Sequence, residues 1–253
     1  ELINGLRKDG LLENTIVIYT SDHGEMLGLH GCWGKQLYHE PSSAVPLLIS
    51  GPGIPEDGCV DKVISLADLF PTACGLAGLP VPPDLDGFDM SGLVRSPASE
   101  NSPREFAPCG AYRYGVRINH NQMDENLPSA AWRSVRDDKW KYVEVEKGAI
   151  LLFDLETDPL ETINLSADPN QKNRCRRMKE WSDRGFSWEL VHSRLSKDRE
   201  RVKEYYSGLL PGTPNQYMLP DGRVFDAEKS LYDARWMPIV PGCTGGIIPQ
   251  QFG

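Results

Sequence analysis

The chain has little positive charge to spare. Its 253 residues carry 27 Lys and Arg against 36 Asp and Glu, a formal net charge of −9. Binding to a phosphate backbone draws on basic surface, so nucleic acid is not expected as a main partner. An anionic small molecule is not barred, because one metal ion and one lysine reverse the local field. No apolar run reaches the roughly 20 residues that a membrane-crossing helix needs, so no membrane span is expected. None of the six cysteines falls in a Cys-x-x-Cys pair, which removes the commonest metal and redox spacing. Mostly buried free thiols are expected instead. Internal repeats are absent. No secretory leader is visible, and Glu1 opens the sequence inside a segment that reads as a helix.

What is present suits an ordinary globular protein, with 40% hydrophobic and 25% charged residues and enough length for a sizeable core. The organising stretch runs from Asn14 to Lys35. Residues 15–20 are mostly β-branched or aromatic, and the unbroken run predicts a parallel strand buried on both faces. It stops at Ser21-Asp22-His23-Gly24. An acid and an imidazole then stand side by side where such a strand delivers its side chains to a crevice. Gly24 lets the backbone turn away without a Cβ clash. Lys35 follows a glycine-rich connection. An anion held by a metal, with the lysine closing from the side, is the simplest use of these three groups. Taken alone, Asp-His-Gly better suits a turn or a helix cap than a pair of ligands.

The longer string decides between these readings. Ser21-Asp22-His23-Gly24-Glu25-Met26-Leu27-Gly28, His30-Gly31, Trp33-Gly34-Lys35, Glu40, Val45-Pro46-Leu47-Leu48-Ile49 and Gly51-Pro52-Gly53 resemble, in order and spacing, the sulfatase family of the alkaline-phosphatase-like superfamily. The resemblance continues more loosely to residue 165. It implies an α/β fold, the C-terminal portion of an alkaline-phosphatase-like α/β/α sandwich followed by a small antiparallel sheet with a helix. It implies that Asp22 and His23 are ligands of a divalent metal, which is calcium in most members. Calcium prefers oxygen, so an imidazole ligand suits Mn2+ or Zn2+ equally well on chemical grounds. It implies that Lys35 contacts the sulfate of the substrate. Ala44 stands where many members carry arginine, and His39 where an aromatic residue is common; both leave the substrate class open.

The family's Cys/Ser-x-Pro-Ser-Arg motif, whose first residue becomes formylglycine, does not occur here, nor does its Asp-Asp pair near the N-terminus. The expectation is therefore the C-terminal part of a larger sulfatase. That enzyme would hydrolyse a small-molecule or carbohydrate sulfate ester with a nucleophile from the missing N-terminal part of the same protein. This chain alone would have no turnover. A phosphonate or phosphate ester hydrolase of the same superfamily is one alternative, and a non-catalytic relative that keeps only the fold is the other.

Three regions are expected. Residues 1–100 form the C-terminal part of the α/β catalytic domain with the metal-binding strand end, 101–207 an antiparallel sheet plus helix, and 208–253 a Pro/Gly-rich aromatic tail that packs on its own core or on a second copy. Within them, residues 2–9 read as a helix with Gly10 as its C′ residue. Val45 to Ser50 reads as a second buried strand. Asp68 suits the N-cap of a helix that carries Leu69, Ala73, Leu76 and Ala77 on one face and stops at Gly78. Trp132–Arg136 and Trp140–Val145 alternate around Asp137-Asp138 and predict a hairpin, with a further strand at 151–155. The acidic residues between Leu155 and Leu165 read as caps and turn formers. Residues 169–207 read as one or two helices, where Arg174, Arg176, Arg177 and Lys179 belong to a mixed-charge solvated face. His30 and His39 read as loop-surface or locally hydrogen-bonded residues.

Overall fold

The structure, a computed structural model, describes residues 1–35, 37–99, 101–112, 116–119, 122–124, 131–207, 216–218 and 224–226. They fall into two units, Glu1–Trp188 and Glu189–Gly253. In the first, α1 spans Leu2–Lys8. Asp9 closes it, Gly10 takes a left-handed φ of 68°, and the amides of Gly10 and Leu11 return to the carbonyls of Arg7 and Leu6. Glycine is placed there because a Cβ disfavours that backbone region.

Strand β1 (Val17–Thr20) pairs with β2 (Leu47–Ser50). The pairing is antiparallel, with Tyr19 opposite Leu48, so the expected parallel strand is corrected for the described residues. The expectation of burial on both faces is also corrected. Tyr19 is 62% exposed and its neighbour Leu48 60% exposed. Thr20, Leu47 and Ile49 line an apolar cleft of about 440 Å3 with Leu69 and Val94. Apolar β-branched composition fixed the strand, but it carried no information about what covers each face.

Between the strands, residues 24–35 form a tight loop and Glu40–Ser43 form the single turn α2. After β2, Ser65 begins a 3-10 turn that runs into α3 (Leu69–Leu76). Here the capping expectation needs revision. The Ser65 hydroxyl accepts from the Ala67 amide, and Asp68 reaches back to accept from the Ser65 amide at 2.8 Å. Asp68 is therefore the acidic partner of a capping box rather than the cap of α3. Its other interactions are charge-assisted: Arg104 donates from Nε at 2.6 Å and from Nη2 at 2.5 Å. Gly78 ends α3 as expected, with the Gly78 and Leu79 amides returning to Gly75 and Cys74. A short helix, α4, spans Ser91–Arg95.

The hairpin reading holds. Four antiparallel strands form a sheet in the order β3-β6-β7-β8, where β3 is Ala107–Ala111, β6 Trp132–Arg136, β7 Trp140–Val145 and β8 Ile150–Asp154. A separate pair joins β4 (Val116–Asn119) to β5 (Gln122–Asp124). Both faces of the sheet are covered. On one, Val135, Trp140, Tyr142 and Leu152 pack against Met178 and Trp181 of α5 (Lys172–Asp183). On the other, Trp132, Val143 and Phe153 pack against Tyr38, which brings the segment after the strand-end loop onto the sheet. Arg176, Arg177 and Lys179 are exposed, as expected of a solvated face, and Arg174 is half-buried. Arg174 and Arg177 also lie over the rings of Trp140 and Trp181, where the alkyl and planar parts of Arg cover aromatic surface while the charge stays hydrated.

Helix α6 runs from Trp188 to Ser207, and the second unit carries the antiparallel pair β9 (Gln216–Met218) and β10 (Val224–Asp226). The rest of the expected 208–253 tail lies outside the described residues. Of the described cysteines, all five are free and only Cys74 is buried, so the thiol expectation holds for chemistry and fails for burial. Among the described residues no helix is long and apolar enough to cross a membrane.

Candidate functional site

The site begins where β1 stops. Ser21 Oγ donates to the His23 carbonyl at 2.8 Å, which curls the backbone immediately after the strand. Asp22 projects outward with its side chain 84% exposed, and His23 is 39% exposed. The imidazole tautomer follows from its two neighbours. The Gly24 carbonyl lies 2.7 Å from Nδ1 and can only accept, so Nδ1 carries the proton. The Lys35 ammonium lies 2.5 Å from Nε2 and can only donate, so Nε2 carries the lone pair. Asp22 Oδ1 is 3.5 Å from the same Nε2.

Gly24 is a close-approach glycine. A Cβ there would collide with the carbonyl oxygens of Pro41 and Ala44. Its amide donates to the Ser42 carbonyl at 3.0 Å, so the strand end rests directly on α2. The loop that follows is closed on itself: the Met26 amide donates to Gly34 and the Gly28 amide to Cys32, both at 2.9 Å. Met26 is fully buried as the loop's anchor. Positive φ at Leu27, Gly28, His30, Gly31 and Gly34 provides the reversals. Glu25 is spent on the same task, since its Oε1 accepts from the amides of Gly34 at 2.5 Å and Leu27 at 3.4 Å. The result is that Lys35, twelve positions after His23, meets the imidazole.

The structure thus brings Asp22, His23 and Lys35 together. This donor set fits part of a divalent-cation site. An outward imidazole lone pair and a carboxylate oxygen converge, and the Lys35 ammonium already sits on that lone pair as a cationic stand-in. Among the described residues no group of three or more His, Cys, Asp or Glu gathers, and two ligands do not complete a shell of about four to eight.

Residues that the sequence did not single out lie directly behind the site. Lys141, on β7, is 1% exposed and Glu161 3% exposed. Lys141 Nζ is 2.9 Å from Glu161 Oε1 and 3.0 Å from Glu40 Oε1. The Glu40 amide donates to Glu161 Oε2 at 2.5 Å. Arg136 Nε lies 3.3 Å from Glu40 Oε2, and His39 Nδ1 3.6 Å from Glu161 Oε2. Burial opposes ionisation of Glu161, but contact with His39, the Lys141 charge and the Glu40 amide outweigh it and hold the carboxyl below its ordinary value. Glu161, expected to serve a turn, is therefore a buried anion; the true turn former is Asp158, which accepts from the amides of Thr162 and Ile163. His39 is buried rather than on the loop surface, and His30 stacks on it at 4.1 Å between centroids. No sequence signal marked this pair, because a lysine alternating with Trp140 and Tyr142 reads as the solvent-facing position of a one-sided sheet.

Comparison with known proteins places these features in a wider frame. Residues 1–79 match the sulfatase family model. Arylsulfatase K of Bos taurus is 38% identical over 175 residues, covering 66% of this chain and 30% of the relative. The chain thus spans about 30% of the length of the curated relatives it matches first. The solved structure of BT4656 in complex with its substrate D-glucosamine-2-N,6-O-disulfate superposes with a TM-score of 0.59 at 25% identity, covering 71% of this chain and 35% of that one. Phosphonate monoester hydrolase of Agrobacterium radiobacter superposes with a TM-score of 0.59 at 29% identity, covering 77% of this chain and 38% of that one.

Proposed function

The chain belongs to the sulfatase family, with the alkaline-phosphatase-like fold, and from that premise we propose that it forms part of a metal-dependent sulfuric ester hydrolase acting on a small-molecule or carbohydrate sulfate ester. The observation that carries this reading is the meeting of Asp22, His23 and Lys35 at one exposed strand end. Asp22 and His23 Nε2 would hold a divalent cation, with Ca2+ as the family's usual ion and Mn2+ or Zn2+ compatible with the imidazole. When bound, that ion draws charge from the nonbridging oxygens of the ester. The Gly24 carbonyl keeps the His23 proton on Nδ1, so Nε2 is left in the form that would ligate a cation. Lys35, on its flexible stem, turns from Nε2 to a sulfate oxygen and neutralises charge that grows there as the ester bond breaks.

The attacking group, a formylglycine in the family that the sequence resembles, is supplied by residues outside this sequence. The likeness of BT4656, solved with a disulfated glucosamine, supports a sulfated sugar as substrate. A second reading, phosphonate or phosphate ester hydrolysis, draws on the likeness to a phosphonate monoester hydrolase. The two differ in one measurement: kcat/KM of the active enzyme on 4-nitrophenyl sulfate against a phenylphosphonate monoester. Preference for the sulfate is expected. Activity that survives exhaustive chelation, with no metal in the protein, would overturn the metal role under either reading.

A further inference from the structure

We propose that Glu161 and Lys141 are positioning residues for the His23 strand end and act on it through α2. Helix α2 is a single turn, and no side chain within it caps its first amides. A helix this short does not hold itself together in water. Its N-terminal amide, Glu40 N–H, is taken instead by Glu161 Oε2 at 2.5 Å, from 121 residues away. Lys141 Nζ grips the same turn at both ends, 3.0 Å from Glu40 Oε1 and 3.3 Å from Ser43 Oγ. Both gripping side chains are almost wholly buried. Glu161 holds a φ of 55°, a left-handed backbone that costs a non-glycine residue free energy and persists where the surroundings demand it.

The other side of α2 carries the site. Its Ser42 carbonyl accepts the Gly24 amide at 3.0 Å, and its Pro41 and Ala44 carbonyls leave no space for a side chain at Gly24. The Gly24 carbonyl in turn fixes the His23 imidazole through Nδ1. The segment after Lys35 is tied to the same turn, because the Leu37 amide donates to Ser42 Oγ at 3.2 Å. Three successive contacts therefore link the buried pair to the ligand: Glu161 and Lys141 to α2, α2 to Gly24, and Gly24 to His23. Replacing a buried ion pair by apolar residues is often neutral in stability, so the role assigned to this pair is geometric. The geometry fixed here is the direction of Nε2. The inference builds on the proposed metal role of His23, but its test does not require that role.

The test uses the 253-residue chain and the variants Glu161→Ala, Glu161→Gln and Lys141→Met. NMR follows solvent exchange of the Gly24 amide and the 15N shifts of the His23 ring, and water-proton relaxation follows Mn2+ binding. Glu161→Ala should speed Gly24 exchange by about tenfold or more through local opening. It should also weaken Mn2+ binding by about tenfold, as loss of an outer partner does, while the amide pattern of β6 to β8 stays as in the wild type. Glu161→Gln keeps an acceptor for the Glu40 amide and should show a smaller change of the same sign, and Lys141→Met should resemble Glu161→Ala. A folded Glu161→Ala chain with wild-type exchange at Gly24 and unmoved His23 shifts overturns the proposal. If that variant does not fold, unchanged Gly24 exchange in Glu161→Gln overturns it instead. If the wild type, with only these two ligands, binds no Mn2+, Gly24 exchange and the His23 ring shifts decide the positioning role by themselves.

Discussion

Two groups of charges in this protein are joined through the single turn α2 and have opposite circumstances. At the strand end, Asp22 is 84% exposed, and the Nε2 lone pair of His23 faces outward beside it. Directly behind, the side chains of Lys141 and Glu161 are 2% and 0% exposed and meet each other and Glu40 within 3.0 Å. The buried set is matched in charge: Lys141 lies between the carboxylates of Glu161 and Glu40, and Ser43 Oγ and the Glu40 amide add neutral contacts to Lys141 and Glu161. The exposed set is unmatched in the sense that matters for binding, because its two best acceptors point at the same place and only a flexible lysine answers them. Charges that complete one another shape the fold, and charges that converge without completing one another shape a site.

The largest effect is expected on the exposed side. Asp22→Ala should bring sulfate ester hydrolysis by the active enzyme below detection and lower its metal content. Its unfolding free energy should stay within about 0.5 kcal/mol of wild type, the usual limit for a surface change away from structural features. Full turnover with unaltered metal content would break the comparison at once. The buried side should respond in the opposite way. Asp68 and Arg104, a second buried pair with side chains 1% and 5% exposed, form the clearest case. Asp68→Ala leaves the guanidinium without its carboxylate and strands the Ser65 and Phe88 amides. Urea denaturation should show a loss of about 3–5 kcal/mol, typical of one partner removed from a buried pair. A loss under about 1 kcal/mol, the range of surface pairs, would mean that water reaches this pair after all.

The same distinction explains what the sequence revealed. Three strands of the four-stranded sheet were legible, β6 and β7 by alternation around Asp137-Asp138 and β8 by its apolar run, whereas β3, with the sequence Ala107-Pro108-Cys109-Gly110-Ala111, carries no strand pattern and was missed. Asp22, His23 and Lys35 were legible as a string, through spacing and family resemblance, and the loop reversals at Gly28, Gly31 and Gly34 follow from glycine's freedom at positive φ. Lys141 was not legible. In the alternation of Trp140-Lys141-Tyr142 it occupies the position that faces solvent in a one-sided sheet, and only the arrival of α2 on that face turns it into a core residue. Glu161 was hidden for the same reason, since its partner lies 121 residues away and local pattern contains no trace of it. The antiparallel pairing of β1 with β2 and the exposure of Tyr19 and Leu48 were missed because residue type predicts a strand far better than it predicts what lies against its faces.

Lys35 is the intermediate case, an exposed charge with one contact to the site. Lys35→Ala should lower kcat/KM of the active enzyme on a sulfate ester by about a hundredfold, near 3 kcal/mol of transition-state stabilisation. Metal content should be unchanged, since an ammonium is not a ligand. Lys35→Arg should recover little, because a longer planar group places its donors elsewhere. Near-normal kinetics for Lys35→Ala would reassign this lysine to the buried side of the comparison, as a brace for His23 only.

The smallest effect is the most specific to the buried set. Glu161 is subject to opposed influences: burial raises its pKa, while His39, the Lys141 ammonium and the Glu40 amide lower it, and the lowering influences prevail. A carboxyl more acidic in the folded chain than in the unfolded one binds fewer protons when folded. Its contribution to stability is therefore complete above its ordinary value of 4.5 and is lost as pH falls through the lower folded value. Glu161→Gln cannot titrate at this position. The stability difference between wild type and Glu161→Gln, read from urea midpoints, should then shrink as pH falls below about 4.5. A difference that instead widens on acidification would give Glu161 a raised folded pKa. Burial would then outweigh its partners, and the buried set would not be the internally matched one that the distances describe.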